Sequence, residues 1–448
     1  MSTLGIGLLF GGSTLLVMFA GIPIAFALGI VSVAFMVLFM PFAALDAIAQ
    51  NVYHEMGNVV ILSVPLFILK GAAIGRTDAG RDLYLALHAW LQRVPGGLGV
   101  ANTVACGLFA AMAGSSPATC SAIGSAGIPE MRRRGYPAGF AAGIIAAGGT
   151  LGILLPPSIT MILYAVAAEV SLGKLFLAGI GPGLLLITLF ATYSVWRYRR
   201  EHRRALADAG QGGERSAILA TESFTGAEKI RLIVKVLPFV ILLTGVMVAL
   251  YGGYATPSET AGLGAMMALL IIAAMYRVVT WKRIYPILAV TLQESTMLLF
   301  IIGMSLLYSF VMSYLNISQS AAAWIIGLGL SKWGLLATIL VFVVVLGFFL
   351  PPVSIILMTA PIVLPPLKAA GFDLIWFGIM MTIVMETGLI HPPVGLNLFV
   401  IKNIAPDIPL GEIIRGVLPF VAIMIATVVL LCFVPGVAMW LPGFMVAN

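Results

Sequence analysis

The chain has 448 residues, of which 61% are hydrophobic and only 9% are charged. A mean hydropathy of +1.11 is more than a soluble core requires and predicts a polytopic membrane protein. The formal net charge of +7 comes from basic residues that cluster at the ends of apolar segments, which favours the positive-inside rule over nucleic-acid binding as its explanation.

The first part of the chain predicts three apolar spans and an amphipathic helix. The spans are expected over residues 4–20, 23–40 and 59–75. Lys70, inside the third span and close to Arg76, is expected to extend its ammonium group to the membrane surface. Residues 77–93 mix charged side chains with Leu, Tyr and Trp, a pattern typical of a helix that lies in the membrane interface.

Residues 95–131 predict a re-entrant hairpin that enters from the cytoplasmic side. Each half of this apolar stretch has about 17 residues, fewer than the ~20 that a full span needs. The polar interruption AGSSPAT would form the tip, which contains Ser115, Ser116 and Thr119. Non-helical backbone at membrane depth is tolerated only against protein or a water-filled cavity, so the tip should be enclosed.

The apolar segment over 136–169 is predicted to be a broken helix, because the sequence GGTLGILLPPS interrupts it. Pro156 and Pro157 each lack a backbone N–H and clash with the preceding turn, and Gly152 adds backbone freedom before them. Such a break leaves backbone carbonyls facing a cavity, an arrangement typical of transporter binding sites. Hydroxyl groups flank the break at Thr150 and Ser158.

A polar segment over 197–231 divides the chain into two domains. Its arginine-rich start and its GQGGERS stretch favour a cytoplasmic linker over a nucleic-acid contact. The first domain, 1–196, ends with a span over 175–196. The second domain, 232–448, is predicted to contain, in order, spans at 232–251, 260–276 and 295–311, an interface segment at 316–329, a hairpin at 333–366, a broken helix at 372–404 and a last span at 413–440.

The second half repeats the elements of the first. A shift of 236 positions aligns Pro156 with Pro392, Pro157 with Pro393 and Gly152 with Gly388. Matching interruptions in two halves are typical of transporters built from repeats. With the basic loops held inside, each half crosses the membrane an odd number of times, so the halves are inverted. The predicted fold is therefore an all-α polytopic membrane protein of two inverted repeats, each with about five transmembrane helices, a re-entrant hairpin and a broken helix.

Inverted halves would bring two hairpin tips and two breaks together near the membrane midplane. Besides backbone carbonyls, the side chains on offer there are Ser115, Ser116, Thr119, Thr150, Ser158, Ser354 and Asn397. Hard oxygen donors suit Na⁺ or a similar small cation, and no Cys or His cluster predicts a transition-metal site. The half-helices that begin after the proline pairs would point their positive ends inward, toward an anionic group.

Glu386 and His391 flank the second break and are the ionisable groups of this predicted core. Ionisable residues inside a membrane are functional by default, which favours a cation-linked or proton-linked site. A Glu386 that is buried, neutral and hydrogen-bonded, together with a His391 at a cavity edge, fits the sequence equally well.

The two broken spans, together with AGSSPAT and LGFFLPPVSIILMTAPIVLPPL, resemble the large membrane subunit of TRAP (tripartite ATP-independent periplasmic) transporters over nearly the whole chain. The resemblance implies an elevator-type secondary transporter of the ion-transporter superfamily in the bacterial inner membrane. It also implies Na⁺ as the coupling ion, an organic acid as the substrate and no further cofactor. The implied partners are a periplasmic solute-binding protein and a small four-helix membrane subunit, which we expect to be a separate chain.

By motif, the resemblance implies two Na⁺ sites. The first would join Ser115 or Ser116 at the first tip to Gly152, Pro156 and Pro157 at the first break. The second would join Pro352 and Ser354 at the second tip to Gly388, Pro392 and Pro393 at the second break. Two positions depart from the family's pattern: the Pro351–Pro352 pair stands where many relatives have Asp, and His391 stands where many have Thr.

The alternative transport function is a stand-alone cation- or proton-coupled anion carrier of the same superfamily, working without a binding protein. An enzyme is not expected, because the sequence has no H-E-x-x-H motif, no paired catalytic aspartates and no haem-type His pairs in its spans. It has no P-loop either, so we do not expect this chain to hydrolyse ATP.

Overall fold

A computed structural model describes residues 2–210, 224–327 and 329–444, and all regular secondary structure in these ranges is helical. The helices of the first half are α1 (Thr3–Phe19), α2 (Ile24–Phe39), α3 (Ala47–Met56), α4 (Val59–Gly75), α5 (Ala79–Leu91), α6 (Gly97–Ala113), α7 (Ser116–Arg133), α8 (Ala138–Leu154), α9 (Ile159–Ala167) and α10 (Leu172–Gly210). Those of the second half are α11 (Gly226–Tyr251), α12 (Pro257–Tyr276), α13 (Trp281–Tyr314), α14 (Ile317–Gly327), α15 (Lys332–Gly347), α16 (Pro352–Ala369), α17 (Leu374–Leu389), α18 (Leu396–Ile404), α19 (Leu410–Phe433) and α20 (Gly436–Met439). Two short 3₁₀ segments lie at Phe42–Asp46 and Pro442–Phe444.

The described residues include 6 helices that are long and apolar enough to cross a membrane, or up to 8 spans if each bent helix pair counts as one. Five shorter apolar helices, among them α6, α15 and α17, accompany them. This composition of helices confirms the predicted all-α polytopic class.

Helix pairs occupy the segments of the two predicted hairpins and of the two predicted broken helices, and the re-entrant character of the hairpins stays a prediction. The first hairpin is α6–α7, which reverses at Gly114 in the left-handed conformation (φ 65°). The second hairpin is α15–α16, with its tip over 348–351. Helices α8 and α9 are bent by 42° relative to each other at the first break. The prolines produce the interruption because they remove backbone donors that a continuous helix would need.

The packing of the helices interlocks the two halves. Helix α4 of the first half packs against α12, and α2 packs in the matching way against α13. The same exchange joins α7 to α18 and α9 to α16, so each hairpin contacts the broken helix of the other half. The inverted relation of the halves stays a prediction, as do the predicted domain limits.

Three helix limits differ from the sequence prediction. Helix α10 continues through the predicted start of the linker to Gly210, and an ion pair of 2.9 Å between Arg197 and Glu201, one turn apart, supports this extension. Most of the GQGGERS stretch lies outside the described residues. Helix α13 begins at Trp281 rather than at 295, and α19 ends at Phe433 because Pro435 follows closely.

The expected surface position of Lys70 is wrong. Its side chain is only 2% exposed, and Nζ donates a hydrogen bond of 3.4 Å to the carbonyl oxygen of Ala111 in the last turn of α6. The reason is that Lys70 stands on the face of α4 that packs against α6 and α12, and hydropathy does not reveal which face of an apolar helix meets another helix.

The predicted interfacial helix α5 is tied to the second half by a buried carboxylate. Asp82 accepts hydrogen bonds from Lys235 on α11 (2.8 Å) and from the hydroxyl of Tyr276 on α12 (3.0 Å). The angle between α4 and α5 is 64°, so α5 turns sharply away from the α4 axis to reach these partners.

Candidate functional site

The first hairpin tip is a turn in which polar groups are gathered from α7. Ser115 is the N-cap residue of α7 and Ser116 is its first residue, fully buried. The hydroxyl of Thr119 donates a hydrogen bond of 2.8 Å to the carbonyl of Ser115. Thr119 therefore holds the tip backbone in place.

The first break lies directly against this tip. A Cβ atom added to Gly152 would lie 2.6 Å from the Ser115 carbonyl oxygen, and one added to Gly114 would lie 2.8 Å from the Pro157 carbonyl oxygen. Only glycine permits such an approach of backbone to backbone. Pro156 and Pro157 are buried, so this junction of tip and break is enclosed, as the sequence predicts.

Asn397 joins this junction from the other half of the chain. It is fully buried at the start of α18, and Nδ2 donates to the Ser116 hydroxyl (2.8 Å) and to the Ala146 carbonyl (3.1 Å). The Ser116 hydroxyl in turn donates to Asn397 Oδ1 (3.2 Å). The side chain that the sequence places after the second break thus lies at the first tip, because α18 packs against α7.

The second tip and the second break repeat the close approach. A Cβ atom at Gly388 would overlap the backbone of Gly347, and the Val394 N–H donates to the Phe348 carbonyl at 3.3 Å. The His391 ring stacks on Phe348 with centroids 4.6 Å apart, and its Nδ1 lies 2.6 Å from the Pro392 carbonyl oxygen.

The second junction differs from the first in exposure. Pro352 is buried as the first residue of α16, and Ser354 is 1% exposed with a hydroxyl that has no hydrogen-bond partner among the described residues. In contrast, Pro393 is exposed and Pro392 is only half-buried, whereas both prolines of the first break are buried. The first junction is therefore closed and the second is open on one side.

Glu386 lies between the two breaks rather than at the second tip. It is fully buried, it stands beside the backbone of Leu154 at the end of α8, and neither carboxylate oxygen meets hydrogen-bond geometry with a donor among the described residues. Gly388, two residues further along α17, points to the second tip instead. Glu386 and His391 are close in sequence but lie in different places: Glu386 is beside Leu154 at the first break, and His391 is stacked on Phe348 at the second tip.

Thr150 and Ser158 make only local hydrogen bonds. The Thr150 hydroxyl donates to the Ala147 carbonyl of its own helix at 2.7 Å, and the Ser158 hydroxyl accepts from the Met161 N–H at 3.4 Å as the N-cap of α9. Neither side chain makes a hydrogen bond to a tip residue among the described residues.

The donor atoms at both junctions are hard oxygens. Oxygens of the type that binds Na⁺ are provided by the backbone carbonyls of Ser115 and Pro157, the Ser354 hydroxyl and the Glu386 carboxylate. Within the described ranges, no group of three or more His, Cys, Asp or Glu side chains is placed to hold a metal ion. Oxygen donors of this type suit small hard cations better than transition metals.

Two polar cavities lie at opposite ends of α4. One, of about 510 Å³, is lined by Asn58, Val64, Glu169, Ser305, Ser309 and Ser313. The other, of about 560 Å³, is lined by Gly75, Arg81, Ser121, Ser125, Glu130 and Arg133. Each cavity separates a helix of the α4–α5 or α13 group from a hairpin or broken helix.

Sequence reasoning missed Lys70, Gly114 and the true neighbour of Asn397. Gly114 could have been found, because a glycine directly before two serines at a predicted tip suggests a left-handed turn. The pairing of Asn397 with Ser116 connects residues 281 positions apart and follows only from the packing of α18 on α7.

The chain is similar to known proteins over nearly its full length. Residues 12–437 match the family described as "Tripartite ATP-independent periplasmic transporter, DctM component". The chain is 36% identical to the C4-dicarboxylate TRAP transporter large permease protein DctM of Pseudomonas aeruginosa, over 94% of each chain. It is 33% identical to the protein of the same name from Rhodobacter capsulatus, over 97% of this chain and 98% of that one.

Two further likenesses concern the extent of the chain and its fold. The isethionate TRAP transporter permease protein DctMQ of Oleidesulfovibrio alaskensis is 33% identical over 94% of this chain, which spans 64% of that protein. The YdaH transporter of Alcanivorax borkumensis, whose crystal structure has been described as having an unusual topology, superposes with a TM-score of 0.62 at 16% identity, over 88% of both chains. The second likeness concerns the fold alone.

Proposed function

The chain belongs to the DctM family of tripartite ATP-independent periplasmic transporters, and from this premise we propose that it is the large membrane subunit that carries an organic acid into the cell by Na⁺ symport with an elevator movement. The members of the family are transporter permeases and not enzymes, as the sequence predicts. We place the subunit in the bacterial inner membrane, in contact with a periplasmic solute-binding protein and a small membrane subunit.

The observation that carries the proposal is the first junction, where the tip and the break meet through backbone carbonyls. The Ser115 and Pro157 carbonyls and the Ser116–Asn397 pair come together there, and their oxygens are of the kind Na⁺ prefers. Because Asn397 comes from the other half, a cation bound here would stabilise the contact between the first hairpin and the second broken helix.

The second junction supports a second cation site. The unpaired hydroxyl of Ser354 and the carbonyl of Gly347 are available oxygen donors there. Glu386 would couple to transport in one of two ways, as a carboxylate near a bound cation or as a carrier of a proton. The second way is the basis of a proton-coupled alternative.

A C4-dicarboxylate is the substrate class we propose first. Three relatives that cover nearly the whole chain carry the name of C4-dicarboxylate TRAP transporter large permease, whereas another is named for ectoine and 5-hydroxyectoine. We also propose a small membrane subunit as a partner, in keeping with the tripartite description of the family.

The test is uptake into proteoliposomes that contain this chain and its small membrane subunit. The binding protein is added outside, loaded with radiolabelled succinate or malate, and an inward Na⁺ gradient is compared with a pH gradient. We expect Na⁺-driven uptake that Ser116→Ala reduces strongly. Ser125→Ala is the matched control, because its hydroxyl bonds only to the Ala122 carbonyl of its own helix.

The outcomes separate the proposed mechanism from its alternatives. Uptake that follows the pH gradient and is lost in Glu386→Gln would contradict Na⁺ symport and identify a proton carrier. Uptake that does not require the binding protein would instead identify a stand-alone carrier.

A further inference from the structure

Lys70 is a buried basic residue that takes no part in either of the two proposed Na⁺ sites. Its side chain, five residues before the end of α4, is 2% exposed, and its ammonium group makes one hydrogen bond, of 3.4 Å, to the Ala111 carbonyl. The group also lies 5.2 Å from the centre of the Phe67 ring, at the upper limit of a useful cation–π distance. An ammonium group has three donors, so this environment compensates a buried charge only in part.

The buried carboxylates of the described residues are already assigned elsewhere. Among the acidic side chains whose burial the structure describes, only Asp82 and Glu386 are buried. Asp82 is bonded to Lys235 and Tyr276, and Glu386 lies beside Leu154 in the core of the two breaks. In this arrangement no buried carboxylate of the described chain neutralises Lys70, although an ionisable residue inside a membrane normally has a partner.

Lys70 stands at the boundary between α4 and the first hairpin. A Cβ atom on the neighbouring Gly71 would lie 2.5 Å from the Ala113 carbonyl oxygen, so α4 and the end of α6 touch through their backbones. Ala111 and Ala113 directly precede the tip at Gly114. Any displacement of the first hairpin along α4 therefore removes the present partner of the ammonium group.

Lys70 also lies between the two polar cavities. Val64 lines the cavity at the start of α4, and Gly75 lines the cavity at its end. With a rise of about 1.5 Å per residue, Lys70 is roughly 9 Å from Val64 and 7.5 Å from Gly75 along the helix axis. No other Lys or Arg side chain of the described residues is buried. Lys70 therefore places a buried positive charge on α4 between the two cavities.

We propose that Lys70 is a substrate-binding residue whose ammonium group receives a carboxylate of the transported organic acid when the first hairpin moves along α4. The inference rests on the proposed function, because it needs an anionic substrate and a moving hairpin. In this structure the ammonium group donates to the Ala111 carbonyl. In the proposed movement the substrate carboxylate takes the place of that carbonyl as the hydrogen-bond acceptor. The residue thereby selects for anions at the boundary that the substrate must cross.

The experiment uses the proteoliposomes described above, with the small subunit and the binding protein present. Uptake of succinate, malate and pyruvate is measured at varied substrate and varied Na⁺ concentrations. The variants are Lys70→Met, which keeps the length without the charge, Lys70→Gln as a second neutral variant and Lys70→Arg, which keeps the charge. Lys332→Met is the matched control, because Lys332 also donates to a carbonyl, that of Gly371 at 3.2 Å, but is exposed.

We expect the apparent KM for the carboxylate to rise about thirtyfold or more in both neutral variants, as for loss of one partner of a buried charge pair. The Na⁺ concentration for half-maximal uptake should stay unchanged, Lys70→Arg should keep most of the affinity, and Lys332→Met should behave as the unaltered chain. An unchanged KM in Lys70→Met would overturn the proposal. So would an equal loss of carboxylate and Na⁺ affinity, which would make Lys70 a docking contact for the hairpin.

The same experiment separates this inference from the proposed function. If the unaltered chain takes up none of the carboxylates under a Na⁺ gradient, the proposed function fails, and this inference fails with it. If the unaltered chain takes them up and the neutral Lys70 variants do so with the same KM, only the role of Lys70 fails.

Discussion

Replacing Gly152 with Ala should weaken Na⁺ binding while the helix that carries it remains intact. The new Cβ atom would lie 2.6 Å from the Ser115 carbonyl oxygen, and ordinary van der Waals contact begins at 3.4 Å, so the tip would have to move by 0.8 Å. A shift of this size in a ligand carbonyl is expected to weaken the site by on the order of tenfold.

Two opposing terms determine the stability of this variant. Alanine is better than glycine inside a helix by about 0.8–1.0 kcal/mol. Overpacking against the tip costs about 1–3 kcal/mol. Gly12→Ala is the matched control, because Gly12 lies in α1 with nothing within 4 Å of its added Cβ, so that variant should gain only the first term.

The assay is thermal unfolding of the purified subunit with and without Na⁺. A cation at 100 times its Kd stabilises the folded state by about 2.7 kcal/mol, and a tenfold weaker site leaves about 1.4 kcal/mol at the same concentration. Gly152→Ala should therefore lose about half of the Na⁺ stabilisation that this one site contributes, whereas Gly12→Ala should keep all of it. Full Na⁺ stabilisation in a folded Gly152→Ala would refute the assignment of this junction as a cation site.

Three further predictions concern contacts between distant segments. Asn397→Leu should lower the stability by about 1–3 kcal/mol, seen as a lower melting temperature, because it leaves the buried Ser116 hydroxyl without its partner; an unchanged melting temperature would contradict the bridge. Asp82→Asn should cost only about 1 kcal/mol, because its partner Lys235 is 45% exposed, and added salt should shrink the difference from the unaltered chain. The hydrogen bond from Arg132 lowers the pKa of Asp407, so this contact stabilises the fold above the unfolded pKa of about 4 and is lost as the pH falls through the folded value. Melting temperatures of the unaltered chain and Asp407→Asn should accordingly converge in acid, and a difference that persists there would contradict the assignment.

The sequence predicts the elements of this fold well because their signals are local. Proline pairs at 156–157 and 392–393 interrupt apolar segments, and the first hairpin is predicted from two apolar halves of about 17 residues, fewer than a full span needs. The limits of α10 and α13 were harder, since both helices continue through polar residues where hydropathy no longer distinguishes a helix from a loop.

The sequence predicts which residue types belong to the candidate site, but it does not predict which of these side chains contact one another. Gly152 lies against the backbone of Ser115 and Ser116, and Gly388 lies against Gly347 beside the second tip, whereas the position of Asn397 depends on how α18 packs on α7. Lys70 shows the same limit. In the sequence, Lys70 lies close to the end of an apolar helix, so its side chain is expected to reach the membrane surface. The packing of α4 against α6 buries it instead.

The bridge between Asn397 and the first tip has a consequence for the biogenesis of the protein. During synthesis the Ser116 hydroxyl enters the membrane long before its partner exists, since 281 residues separate the two. The first hairpin must therefore wait, incompletely paired, until the last quarter of the chain has been translated and α18 has been inserted. Truncation anywhere before residue 397 leaves the first junction without its bridge, so the early half of the protein matures only as the late half arrives.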